Sequence, residues 1–292
     1  MPLVVVPTPL GNLGDVTRRA LDVLRDARLV VAEDTRVARK LLQALDIGAK
    51  ELWSYREQNA AAVTAGILAR AREECVAVVS DAGMPGISDP GSELIAAARD
   101  AGIAVEVLPG PCAAIGVAVL SGFPLRRFAF EGFPPRKRGA RRDAFTDALA
   151  TGMTTLWYES PARIRETLED LAAVAPGARV FLAREYTKRF EQQLLGSPSE
   201  VAAALAEPVR GEIAFAIAPY ASHARTRDAL VTSDVDVDDR IDALLDNGRG
   251  VREIAKFLAE HGAGERRALY AKASERKRLR GGGKRHDEEH PQ

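Results

Sequence analysis

The sequence predicts an α/β protein with two α/β domains and a small helical module after them. Two patterns carry that expectation. Short β-rich apolar runs alternate with segments whose apolar residues recur at helical spacing. The run Val76–Val79 is apolar throughout, as a parallel strand covered on both faces should be.

The elements follow in order. Residues 3–6 read as a strand ending in a Pro/Gly loop. Residues 17–27 read as a helix, with Ala20, Leu21 and Leu24 on one face. A strand at 29–32, helices at 35–45 and 62–71, and a strand at 76–79 come next. A helix at 93–101, a strand at 104–108 and a helix at 113–120 complete the first domain, 1–121, which Ser121-Gly122-Phe123-Pro124 closes. The second domain is expected over 122–222. It contains the apolar run 128–133 and a turn-forming basic segment, 134–139. Strands are expected at 154–158, 179–183 and 212–218, and helices at 162–173 and 199–206. A polar, Asp-rich linker is expected at 223–238. A helix-turn-helix-like module follows at 239–274, with helices at 239–246, 251–260 and 265–273. The charged, Gly-rich stretch 275–292 is expected to be disordered.

Composition excludes several classes. Apolar residues make up 46% of the 292, enough for a core, and formal net charge is zero. A nucleic-acid partner must therefore be met by local basic patches. Cys75 and Cys112 are isolated, so neither a disulfide framework nor a metal site is expected. No apolar stretch approaches the ~20 residues of a membrane helix, and the N-terminus lacks a basic leader. A soluble, cytoplasmic protein with no membrane partner is expected.

The segment Ser80–Gly91, SDAGMPGISDPG, carries the most chemistry. It follows an expected strand, where parallel α/β sheets bind ligands. Gly83, Gly86 and Gly91 allow close backbone approach, and Pro85 and Pro90 stiffen it. Asp81 and Asp89 could bond ribose hydroxyls or cap the turns. Pro7–Gly14 and Pro109–Ala113 have the same character at two other strand ends, so the three loops should enclose one pocket. None is G-x-G-x-x-G or a Walker loop, which disfavours dinucleotide and triphosphate sites.

Further polar groups cluster at strand ends. Glu33, Asp34, Thr35, Arg36 and Arg39 form one set, and Glu159, Ser160 and Arg163 a second. Arg184, Glu185, Thr187, Lys188 and Glu191 form a third. Each set reads equally well as an ion-paired helix start. Arg136, Lys137, Arg138, Arg141 and Arg142 form one basic patch, and nine Lys/Arg against two Glu over 265–285 form another.

The segments VVPTPLGNLGDVTRRALDVL, VVAEDTRVARKLL, SDAGMPGISDPG, LPGPCAA and SGFP resemble the tetrapyrrole-methylase superfamily. FEGFPPRK, YESPARIRETL, AREYTKRFE and RGE resemble its branch of 16S ribosomal RNA cytidine 2′-O-ribose methyltransferases. The resemblance implies S-adenosylmethionine in a cleft between two α/β domains. It also implies a homodimer and, as partner, 16S rRNA or the 30S subunit, methylated on a decoding-centre cytidine. The matching cofactor positions are Pro9, Leu10, Gly11, Asp81, Ala82, Gly83, Pro85, Pro109, Gly110 and Ala113. Proton acceptance falls to Glu33 or Glu185, or to Lys188 if burial lowers its pKa. RNA contacts fall to Arg36, Arg39, Arg136, Lys137, Arg138, Arg163 and Arg184. The sequence departs from the family pattern at Met84, Cys112, Pro134 and Ala162, and across residues 54–60, SYREQNA. Two rival readings share the first domain: a precorrin-type methyltransferase, and a non-catalytic RNA-binding protein with a vestigial pocket.

Overall fold

The structure, a computed structural model, describes residues 2–220, 237–246, 249–260 and 264–281. It divides into two compact units, Met1–Tyr220 and Ala221–Gln292.

The first half of the larger unit is a parallel sheet clad with helices. Its elements are β1 (Leu3–Val5), α1 (Arg18–Asp26), β2 (Leu29–Ala32), α2 (Thr35–Ala44), β3 (Glu51–Ser54), α3 (Ala60–Glu73), β4 (Val76–Val79), α4 (Ser92–Asp100) and β5 (Val105–Val107). The strand order is β3-β2-β4-β1-β5, all parallel. Alternate residues of the buried strands feed opposite faces. Val4, Val30 and Ala77 pack with Ala20, Leu24 and Leu42 on one side. Leu3, Val31, Val76 and Val78 pack with Ile67, Leu94 and Ala98 on the other. Caps set the helix starts. The Thr17 side chain accepts from the Ala20 backbone N–H at 3.1 Å, and Asp34 accepts from that of Arg36 at 2.8 Å. Such a cap is worth about 1 kcal/mol.

The second half contains α5 (Ala113–Ser121), β6 (Phe128–Gly132), α6 (Arg138–Ala150), β7 (Thr154–Glu159), α7 (Ile164–Val174), β8 (Val180–Arg184), β9 (Gln192–Gly196), α8 (Pro198–Ala204) and β10 (Ile213–Ile217). The order is β6-β7-β10-β8-β9; β6 and β7 are parallel, and the other pairs are antiparallel. Trp157, Leu182 and Phe215 face Phe145, Ile164, Leu168 and Val201 of the helices. On the opposite face Leu156, Phe181, Ala183 and Ala216 meet Ala114, Val117 and Ala118 of α5. The boundary expected after Ser121 is thereby corrected. Helix α5 reads AAIGVAVLS, apolar on every side, and it joins the core of the second sheet.

Other expectations need correcting. β3 and β9, two short edge strands, were not foreseen, and α6 begins inside the segment expected to be a turn. Arg141 is wholly buried, not part of a surface patch. Its guanidinium reaches Asp170 at 2.5 Å and Glu166 at 2.6 Å. Arg138 and Arg142 also donate to Asp170, at 3.0 and 2.8 Å. The smaller unit holds helices Val237–Asp246, Val251–Glu260 and Arg266–Gly281 around Ile241, Ile254, Leu258, Leu269 and Ala273. The first of these helices begins within the stretch expected to be a linker. The last runs well past residue 274, into the stretch expected to be disordered. Residues 223–236 of that linker and 282–292 of that tail lie outside the described residues. Among the described residues, no helix is long and apolar enough to cross a membrane, and no group of three or more His, Cys, Asp or Glu could hold a metal.

A candidate ligand cleft with an acidic rim

The loops at the carboxyl ends of β1 and β4 are zipped together. Thr8 N–H donates to the Gly83 carbonyl at 2.9 Å, and Gly83 N–H returns a bond to Thr8 at 3.1 Å. Gly83 has φ +80°, and a Cβ there would lie 2.9 Å from Leu10 Cδ2. Only glycine meets both demands cheaply. The loop after β5 closes in similarly, for a Cβ on Gly110 would lie 2.6 Å from Pro7 Cβ.

These loops border a cavity of about 380 Å³ within the larger unit. That volume suits a small organic ligand. Leu10, Asp81, Ala82, Gly83 and Ala113 of the expected cofactor set line it. Pro9, Gly11, Pro85, Pro109 and Gly110 do not; they shape the loops behind it. The opposite wall comes from the second sheet, through Tyr158, Glu159, Ser160, Tyr186, Glu212 and Ala214. Tyr158 holds its ring edge-on to Phe130 and Phe133, with centroids 5.0 and 5.8 Å away. Its hydroxyl accepts from the Ala114 backbone N–H at 3.0 Å, and burial raises its pKa. Sequence reasoning missed Phe133, Tyr158 and Tyr186. A faint signal existed for Tyr158, at the end of an expected strand.

A second, more open hollow of about 1040 Å³ lies beside the cavity. Both are lined by Ser88 and Asp89. Glu33, Ser54, Arg56, Gln58 and Asn59 line the open one, so the segment 54–60 that departs from the family pattern faces it. The rim is acidic. Burial raises the pKa of Asp89 to about 6, and Glu33 and Asp81 add to the rise. Glu33 is raised by burial and then by Asp81; Asp81 is raised by burial, although the Asp34 N–H it accepts at 3.1 Å pulls it down.

The other expected acid–base groups are tied up. Lys188 Nζ donates to Glu185 at 2.9 Å and Glu212 at 3.0 Å. Burial acts to lower its pKa, but the two carboxylates outweigh burial and raise it. The expected burial-lowered Lys188 is thereby corrected. Glu185 would be raised by burial, yet the Glu212 N–H and Lys188 hold it below its ordinary value. The stem of Lys188 passes over Gly11, where a Cβ would collide with it. Backbone strain collects nearby. Ser88, Glu185 and Thr187 are three of the four described non-glycine residues with positive φ. Strain of this kind persists where structure over-determines a functional loop.

The expected RNA contacts divide. Arg39, Arg136 and Lys137 are exposed. Arg36 is exposed while pairing with Asp34, and Arg138 while pairing with Asp170. Arg163 is spent on Glu159 and the carbonyls of Pro134 and Pro135. Arg184 is spent on Gln192 and the carbonyls of Arg210 and Phe190. Both brace loops.

Residues 2–202 match the family model for tetrapyrrole (corrin/porphyrin) methylases. The chain is 47% identical over 192 residues to "Ribosomal RNA small subunit methyltransferase I" of Vibrio cholerae serotype O1, covering 65% of this chain and 66% of that one. It thus spans just under two thirds of the length of that relative. It is 37% identical over 270 residues to the protein of the same name from Streptococcus pyogenes serotype M1, covering 92% of this chain and 93% of that one. Among solved structures, a uroporphyrin-III C-methyltransferase of Thermus thermophilus complexed with S-adenosyl homocysteine shares the fold. The TM-score is 0.52 at 19% identity, over 75% of this chain and 97% of that one. Loop architecture, family model and near relatives agree: the chain belongs to the tetrapyrrole methylase family, within the group of relatives called ribosomal RNA small subunit methyltransferase I.

Proposed function

We propose that the chain is an S-adenosylmethionine-dependent methyltransferase of the small-subunit ribosomal RNA, acting on the 2′-hydroxyl of a decoding-centre cytidine. The observation that carries this is the cavity walled by the β1 and β4 loops, in a chain whose near relatives bear the rRNA methyltransferase name. A relative fold complexed with S-adenosyl homocysteine supports the choice of cofactor.

The residues present fit such a cofactor. Gly83 can take no side chain, so backbone and Leu10 meet the ligand directly. Asp81 supplies a carboxylate for hydroxyl groups, and Tyr158, Phe133 and Met84 supply apolar surface. Bound there, the cofactor supplies an electrophilic methyl group. The chain's own residues do the rest. The polar hollow lined by Ser54, Arg56 and Asn59 receives the target nucleotide. Asp89, in the wall common to both spaces, and Glu33 beside it hold carboxylates at raised pKa. Such groups suit proton acceptance from a hydroxyl near neutral pH. Glu185 and Lys188 bind each other and hold the loop, which removes them from that role. Alignment of the acceptor against the cleft contributes several kcal/mol more. Arg36, Arg39, Arg136, Lys137 and Arg138 supply exposed cations for phosphates. The exposed Ile115 and Val119 of α5 support a homodimer, and a ribosomal RNA substrate supports a cytoplasmic enzyme.

The test maps 2′-O-methylation across 16S rRNA in cells with and without the protein. Loss of one cytidine modification, restored by the wild-type chain, is expected. An unchanged map, together with methyl transfer to a precorrin in vitro, would overturn the reading.

A further inference from the structure

The helix Arg266–Gly281 carries seven Lys/Arg and one Glu. Its faces divide sharply. Leu269 and Ala273 are buried in the three-helix core. Lys272 pairs with Asp238 at 3.1 Å, and Arg276 pairs with Asp242 at 2.6 Å. These contacts hold the helix to its neighbours. At the helical repeat, Arg266, Arg267, Tyr270, Ser274, Lys277 and Arg278 fall within an arc of about 120°. Arg266, Arg267, Lys277 and Arg278 are exposed and, among the described residues, carry no ion pair. Tyr270 lies between them with 43% of its surface open. From Arg266 to Arg278 the row runs about 18 Å.

We propose that this face is an RNA-docking surface for a single-stranded segment. The four cations grip backbone phosphates, and Tyr270 stacks on an unpaired base. The inference rests on the rRNA reading above. A solvated helix face needs no such division, because charges kept only for solubility are as well served by mixed signs. Here the acidic partners sit on the packed side, and the open side is cationic around an aromatic ring. That is the combination single-stranded nucleic acid requires. A surface for duplex would have no use for the ring.

The full chain is titrated with an unstructured small-subunit rRNA fragment and with a duplex of equal length, over a range of salt. Replacing Arg266, Arg267, Lys277 and Arg278 together by Ala should lower affinity at least tenfold and flatten the log–log salt slope by about 3. Tyr270→Ala should lower single-strand affinity roughly fivefold or more, with the salt slope kept. The pair Arg266→Ala and Arg267→Ala gives half the slope change if the fourfold variant fails to fold. Unchanged affinity and slope in these variants, while the wild type still methylates small subunits, would overturn this inference alone. A loss seen only on assembled subunits would overturn it too, pointing to an acidic protein surface. A wild type that methylates nothing would instead defeat the function proposed above.

Discussion

Asp170 on α7 and Asp89 in the loop between β4 and α4 are both carboxylates withdrawn from water, and they behave in opposite ways. Asp170 is 1% exposed and accepts from Arg138, Arg141 and Arg142. Burial acts to raise its pKa, but the three guanidinium groups outweigh burial and lower it. Asp89 is also raised by burial, with the carboxylates Glu33 and Asp81 beside it and only Ser80 opposing. The contrast separates scaffold from site. A compensated cluster fixes geometry, whereas an uncompensated one leaves a carboxylate more basic than usual, which chemistry can use to accept a proton.

The contrast can be broken first on its scaffold side. Asp170→Ala leaves the buried Arg141 guanidinium with the exposed Glu166 as its one carboxylate, beside the carbonyls of Pro135 and Arg136. Losing one partner of a buried pair costs about 3–5 kcal/mol. The urea midpoint should fall accordingly; an unchanged midpoint would mean that the cluster is surface decoration. Asp170 also contributes stability present above its unfolded pKa and lost as pH falls through the lowered native value, so acid should unfold the wild type more sharply than the variant.

The site side gives a smaller effect of opposite sign. With a native pKa near 6, Asp89 favours folding fully below its unfolded pKa, and that contribution disappears as pH rises through about 6. Asp89→Asn removes the charged form. It should stabilise the fold above pH 6 by on the order of 1 kcal/mol after allowance for solvent screening, and much less at pH 4. Thermal melts of both proteins at the two pH values check this; an equal gain at both would refute it.

Much of the first sheet was legible in the sequence because its strands are short, continuous apolar runs. β2 and β4 fall where Leu29–Ala32 and Val76–Val79 were expected. β3, ELWS, and β9, QQLLG, were invisible because edge strands are only half buried and mix polar with apolar residues. α6 was hidden by Pro134, Pro135 and Gly139, turn residues at its very start, and by arginines whose burial depends on Asp170 in another helix. At the site, the Gly/Pro loops announced themselves chemically. Tyr158 and Tyr186 did not, because an aromatic ring at or just past the end of a strand reads the same whether it faces a core or a cavity. Nor could spacing reveal that Lys188 meets Glu212, which is distant in sequence.

The central claim is that glycine-shaped loops at the ends of β1 and β4 form a recess for a sulfonium nucleoside. Calorimetric titration of S-adenosyl homocysteine into the full chain and into Gly83→Val tests it most directly. The account predicts saturable one-to-one binding by the wild type. In the variant, whose Cβ would press on Leu10 at a φ that valine rarely adopts, affinity should fall at least tenfold. Heat without saturation from the wild type, or equal affinity in a folded Gly83→Val protein, would contradict it.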